Sequence, residues 1–317
     1  MMSTDGNELR GSREKVVVVP CTRWRELQAS IEYHAELAGL IGATTIFRLL
    51  NDPGIHIGPQ EFSIGDMTGG TSNPNSVSIQ KEVSTAISIV QRAKPNGVTP
   101  LTYHLKTITN RIQELEPVLR RQGQKAVVVI ATDGLPSDDQ GNVTALVQSE
   151  FVDALKRLQR LPVWVVIRLC TDDDTVSDYY NDLDKVLELP LECIDDYLGE
   201  AKEIMAVNQW LNYALPLHRC REMGYQHRLF DLLDERQLTK DELYEFLTLV
   251  FGASAFRNAP DINTNWTGFY NVLKNVIQTE TQEWNPATGR RGPWIDMKQL
   301  SKTYGVKKGL FGLGRKR

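Results

Sequence analysis

Six consecutive apolar residues, 126–131 (AVVVIA), end on Thr132-Asp133-Gly134 and a Pro-containing loop that reaches Asp138 and Asp139. β-Branched side chains are stiff in a helix but pack well on a pleated surface. An unbroken run of them is the pattern of a strand buried on both faces of a parallel sheet. Residues 162–169 (PVWVVIRL) form a second such run after a helical interval. Parallel strands need a crossover, usually a helix, and those helices cover the sheet. The constraint on the fold is therefore strong: α/β. Ligand chemistry in such sheets collects just past the carboxyl ends of the strands, and Asp133 falls there.

The rest of the first two thirds follows the same alternation. Residues 16–19 are four valines closed by Pro20, and residues 44–50 (TTIFRLL) read as a second strand. Between them Trp24, Leu27, Ile31, Ala35, Ala38 and Ile41 recur at three- and four-residue steps, the stripe of a helix. Residues 56–75 read as loop with one short strand near 62–64, and residues 77–90 as a helix. Thr99 or Pro100 opens a longer helix with Leu101, Leu105, Ile108, Ile112, Leu115 and Leu119 inside. Pro is tolerated in a first helical turn, and Thr is a suitable cap. Further helices are expected over residues 144–158, from residues 172–174 onward and over 195–205, with a last strand at 191–194. The fold class expected is a three-layer, doubly wound, mostly parallel sheet.

From about residue 207 no strand is expected. Thr239-Lys240-Asp241-Glu242 is a capping box opening an amphipathic helix, and four of the six Trp residues, at 210, 266, 284 and 294, fall in this last third. The expected organisation is a disordered lead over 1–15, the α/β domain over 16–206, a helical extension packed on it over 207–306, and a basic disordered tail over 307–317.

Composition removes several function classes. A formal net charge of −4 gives no global basis for holding nucleic acid. No apolar stretch approaches the roughly 20 residues that span a bilayer. The polar first residues lack the apolar core of a secretory signal, and Cys21, Cys170, Cys193 and Cys220 show no CxxC spacing. A cytoplasmic location is expected, with nuclear import by the basic tail as the alternative. The five His residues show no zinc spacing, and neither a Walker A loop nor a nucleophile elbow occurs.

Residues 97–101 (GVTPL) and 132–134 (TDG) resemble two of the three parts of the metal-ion-dependent adhesion site of a von Willebrand factor A domain. In that family a Mg²⁺ ion sits at the carboxyl edge of the sheet. One part is a D-x-S-x-S motif after the first strand, another a Thr from a loop opening a helix, and the third an Asp at a strand end. Thr99 and Asp133 match the second and third parts, 34 residues apart. The resemblance implies that these two are metal ligands and that the chain binds protein partners. Mg²⁺ takes hard oxygens at about 2.0–2.1 Å and keeps several waters, so a hydroxyl and a carboxylate on rigid ends suit it.

The first part departs from that pattern. After the valines the chain reads Pro20-Cys21-Thr22-Arg23-Trp24. Either the motif is degenerate or the loop carrying it is missing from this chain. Mg²⁺ binding is therefore expected to be weak or absent, with Asp138 or Asp139 as the substitutes to test. Structural roles stand beside each ligand role: Thr99 as a helix cap, Asp133 as a turn residue, and Asp172–Asp174 and Asp195-Asp196 as acids favoured at helix starts. The function expected is a protein–protein interaction module of the A-domain type rather than an enzyme. The alternative is a metal-assisted hydrolase or phosphoryl-transfer enzyme using Asp133 and Asp138.

Overall fold

A computed structural model of the chain describes residues 1–11, 16–65, 76–183, 186–187 and 191–305. The basic tail expected over 307–317 lies outside the described residues. The chain divides into two compact units, Met1–Asp196 with Arg219–Gln226, and Tyr197–His218 with His227–Arg317. The division thus falls before residue 206, and a short return segment belongs to the first unit.

The first unit begins with β1 (Gly6–Gly11) and β2 (Val16–Cys21), paired antiparallel. Residues 6–11 are thus a strand where a disordered lead was expected. Their polar composition hides this, because the pairing comes from the valines of β2 and from Glu8, whose carboxylate takes Arg25 at 2.7 Å and Arg10 at 2.7 Å. Helix α1 (Arg23–Ile41) follows at once. The Thr22 hydroxyl accepts from the Arg25 N–H at 3.1 Å, and Gly42 closes the helix at φ 68°. A left-handed residue after the last turn is where Gly carries no steric cost. Strands β3 (Thr45–Arg48) and β4 (Glu61–Ile64) pair antiparallel. With α2 (Ser76–Arg92) and α1 they enclose a small core of Ala35, Ala38, Phe62, Ile64, Val83 and Ile89.

The main core lies on the parallel sheet. Helix α3 (Leu101–Gln122) leads to β5 (Ala126–Thr132), α4 (Ala145–Leu158), β6 (Val163–Leu169), α5 (Asp174–Leu183) and β7 (Leu191–Ile194). The strand order is β5-β6-β7, all parallel, with Val128 opposite Val165 and Ile130 opposite Ile167. Those side chains, with Leu101 and Leu105 of α3, Phe151 and Leu155 of α4, and Tyr180 of α5, make one contiguous cluster. The α/β class is thereby established. Two finer expectations differ. The valines of β2 and the strand at 45–48 form ladders of their own instead of joining the parallel sheet. β5 is therefore buried on one face only: Val127 and Val129 are 40% and 49% exposed. β6 has the doubly buried character read from its run, since Val165, Val166 and Ile167 are fully covered.

The second unit contains α6 (Tyr197–Val207), the start of α7 (Leu215–Glu222), α8 (Arg228–Glu235), α9 (Lys240–Phe251), α10 (Trp266–Thr279), a hairpin of β8 (Glu283–Asn285) and β9 (Arg290–Gly292), and α11 (Met297–Tyr304). The hairpin corrects the expectation that no strand follows residue 207. Its turn is held locally, with Asn285 Oδ1 accepting from the Ala287 and Thr288 N–H groups. Aromatic rings build this unit's own core. Trp210 is fully buried, edge-on to Phe246 and Tyr304, and Trp266 lies 6.0 Å from Tyr304. The capping box is present in full: the Glu242 N–H donates to the Thr239 hydroxyl and the Thr239 N–H to the Glu242 carboxylate.

Candidate functional site

Backbone geometry at the end of β5 is set by Thr132 rather than by Asp133. The buried Thr132 hydroxyl donates to the Gly134 carbonyl at 2.9 Å and accepts from the Gly134 N–H at 3.3 Å. The turn role therefore belongs to Thr132, and the Asp133 carboxylate is turned to an ion pair with the Met1 ammonium. Residues 97–101 arrive at the same place. The Thr99 N–H donates to Ser137 Oγ at 2.9 Å, and the Ser137 N–H donates to the Thr99 carbonyl at 2.9 Å. A Cβ built on Gly134 would lie 3.7 Å from Thr99 Oγ1, so the hydroxyl stands against the residue that follows Asp133. The two sequence segments are thus tied together at the carboxyl edge of the sheet. Thr99 is not the helix cap: Pro100 holds that position, with no side-chain capping bond.

Asp138 meets that edge through its carbonyl, which accepts from Ser137 Oγ at 3.1 Å. Its carboxylate closes its own loop, accepting from the Gln140 and Asn142 N–H groups and from Asn142 Nδ2 at 2.8–2.9 Å. The side-chain bond from Asn142 above all holds its carboxyl below the usual range.

Beyond the ends of β6 and β7 lies a denser group of charges. Arg23, the first residue of α1, is 1% exposed. Its guanidinium donates through Nη1 to Asp196 Oδ2 at 3.0 Å and Glu26 Oε2 at 3.2 Å, and through Nη2 to Asp172. Its Nε lies 3.3 Å from Asp5 Oδ1. Asp195 adjoins the group: one carboxylate oxygen from each of Asp172, Asp195 and Asp196 falls within 4.8 Å of the others. Burial, with Asp196 beside it, pushes the Asp195 carboxyl up to about 6, and burial likewise raises Asp172. Residues 1–5 join this group to Asp133, since the Trp24 N–H donates to the Met1 carbonyl and the Arg23 N–H to the Ser3 carbonyl. Behind Arg23, the buried Arg168 pairs with Glu26 and with Glu222, the latter at 3.1 Å.

The helix-start reading holds for Asp173, which accepts from the Thr175 N–H at 2.8 Å. Asp172 and Asp196 instead converge on Arg23, which sequence reasoning missed along with Glu26 and Glu222. One signal was available: Arg168 is a charge inside the apolar run VWVVIRL, and a buried guanidinium requires a carboxylate partner.

These residues do not fit a Mg²⁺ ion of the family type. Such a site needs several hard oxygens converging on one point. Where D-x-S-x-S would stand, the Thr22 hydroxyl is committed to capping α1 and the next side chain is a guanidinium held by carboxylates. Among the described residues no helix is long and apolar enough to cross a membrane. No protein-family model and no curated protein matches the chain.

Proposed function

We propose that this chain is a protein–protein interaction module of the von Willebrand factor A type, presenting the carboxyl edge of its parallel sheet to a protein partner. Thr99 and Asp133 are the positions that correspond to the metal ligands of that family, and any Mg²⁺ binding there is weak. The observation that carries the reading is the pair of hydrogen bonds between Thr99 and Ser137. It supports the reading because it ties Thr99 to the loop that follows TDG, and Thr99 and Asp133 stand 34 residues apart in the chain. A rigid polar edge with an exposed loop on each side is a surface suited to recognition.

The alternative, a hydrolase, has less support. Ser137 is buried and engaged with Thr99 and with the Asp138 carbonyl, and Asp138 is engaged with its own loop. The test is quantitative affinity capture on the immobilised full chain, in chelator, comparing the wild type with Thr99→Ala and Asp133→Ala. Both substitutions should reduce recovery of the same partner by about tenfold, the equivalent of ~1.4 kcal/mol. Equal recovery by all three proteins refutes the reading. Turnover of phosphomonoester or nucleotide substrates that is lost in Asp133→Ala would establish the enzyme instead.

A further inference from the structure

We propose that β5 pairs with β5 of a second copy of this chain, antiparallel about a two-fold axis at Val129, so that two parallel sheets join edge to edge. The inference goes beyond the reading of the Thr99–Asp133 edge and does not depend on it.

The first observation is an unprotected edge. β5 pairs with β6 in unbroken register from Ala126 to Thr132, and with no other strand among the described residues. An edge strand presents a row of N–H and C=O groups, which proteins ordinarily blunt with a charge, a Pro or a bulge. Among the described strands, β2 carries Pro20, and every other strand at a sheet edge carries an Arg or a Glu, such as Arg48 in β3 and Glu192 in β7. β5, AVVVIAT, has neither. Its outer face is open as well, with Val127 40% and Val129 49% exposed. A flat, uncharged, β-branched edge of this kind is a template for a further strand.

The second observation selects the occupant. Lys125 and Asp133 are the first charged residues on either side of the strand, and their charges are opposite. An antiparallel pair centred on Val129 sets Val127 opposite Ala131, and Lys125 of each protomer opposite Asp133 of its partner. Side chains alternate along a strand, so all of these lie on the open face, and the apolar residues of both copies are closed at each end by a Lys–Asp pair. Opposite charges across a ladder favour pairing and like charges oppose it. A parallel pair in register would instead set Lys125 beside Lys125 and Asp133 beside Asp133. Both charges are accessible: Lys125 is exposed, over the Trp164 ring at 4.8 Å, and the Asp133 side chain is 35% exposed beside the Met1 ammonium. A contact between the same patch on both copies closes as a dimer. One strand per protomer is small beside the roughly 1,200–2,000 Å² of a stable interface, so the association is weak and depends on concentration.

Sedimentation velocity of the full-length protein, over roughly 1–300 μM to cover a weak complex, is the direct test. The average mass should rise from 35.8 kDa toward twice that value. Val129→Lys sets two ammonium groups on the axis and should weaken association at least about tenfold, one decade in Kd. Lys125→Glu alone and Asp133→Lys alone each set like charges opposite one another and should associate poorly. An equimolar mixture of the two should recover the wild-type association, because both charge pairs of the mixed dimer are then complementary. Opposite residues of an antiparallel pair have Cα atoms about 4.5–5.5 Å apart, within the reach of a disulfide. Val129→Cys should therefore be trapped as a disulfide-linked dimer under mild oxidation, and Val143→Cys, as exposed at 48% but off the strand, should not. If Val129→Lys does not fold, Lys125→Glu is read in its place. A wild type that stays monomeric throughout the range overturns the proposal. So does a dimer that folded Val129→Lys or Lys125→Glu leaves intact, one in which Val129→Cys is trapped no faster than Val143→Cys, and a mixture of folded charge variants that fails to associate.

Discussion

Glu222 is where the account of the buried charges can be tested most severely. It is 3% exposed and accepts from Arg168 Nε at 3.1 Å, Ser30 Oγ at 2.9 Å and Arg219 Nη1 at 2.5 Å, with His34 Nε2 at 3.3 Å. It lies in the return segment Arg219–Gln226, which this network ties to the first unit. Removing one partner of a buried ion pair costs about 3–5 kcal/mol, because the other charge stays buried and uncompensated. Arg168 keeps Glu26 and a bond to the Leu169 carbonyl, so Glu222→Ala should cost about 2–4 kcal/mol. Glu222→Gln, which retains volume and some hydrogen bonding, should cost less, about 1–3 kcal/mol. Against a total stability of about 5–15 kcal/mol either loss is large. Because the chain divides into two compact units, hydrogen exchange of the β6 amides is a better assay than one global melt. Protection of Val165–Ile167 should fall by roughly 30- to 900-fold in Glu222→Ala, at about 1.4 kcal/mol per factor of ten. The double variant Arg168→Met/Glu222→Met should recover much of it, as expected for residues that act as a pair. Protection unchanged in Glu222→Ala, or losses that simply add in the double variant, would refute the network as drawn.

In the second unit, Thr239→Ala removes one half of the capping box and should lower stability by about 1 kcal/mol, read as faster exchange at the first turn of α9. Bonds from Arg236 and from the Thr239 N–H hold the Glu242 carboxyl well below its usual range. Its contribution should therefore persist above the ordinary carboxylate pKa and be lost as pH falls below it, a loss absent in Glu242→Gln. Asp195 has the opposite sign. With its folded pKa raised from 3.8 to about 6, the folded state binds the proton more tightly than the unfolded chain does between those values. The first unit should gain stability as pH is lowered from 7 to 5, as judged by its urea midpoint, and Asp195→Asn should remove that gain.

Most of the elements, and little of the site, were legible in the sequence. The valine runs and the three- and four-residue stripes identified β2, α1, α3, β5 and β6 because local periodicity reflects which face is buried. The same signal cannot say which strands pair. β2 reads as a sheet strand whether its neighbour is β5 or, as found, β1, and the exposure of Val127 and Val129 follows from that choice. Thr99 and the loop after Asp133 were found because short motifs mark the ends of elements. The Arg23 cluster was not, because residues 23, 26, 172 and 196 meet only through tertiary structure. Each carboxylate, taken alone, reads as an acid at a helix start. The Trp residues of the last third were expected to be buried against the α/β domain; the rings that Trp210 and Trp266 meet lie instead in α9, α10 and α11.

On the reading proposed above, the carboxyl edge of the sheet holds its shape through the ion pairs of Arg23 and not through a bound metal. Calorimetric titration of Mg²⁺ into the full-length protein tests it directly. Binding no tighter than about 1 mM, the weak end for protein sites of hard divalent cations, is the predicted result. Micromolar affinity that is abolished by Asp133→Ala would contradict it.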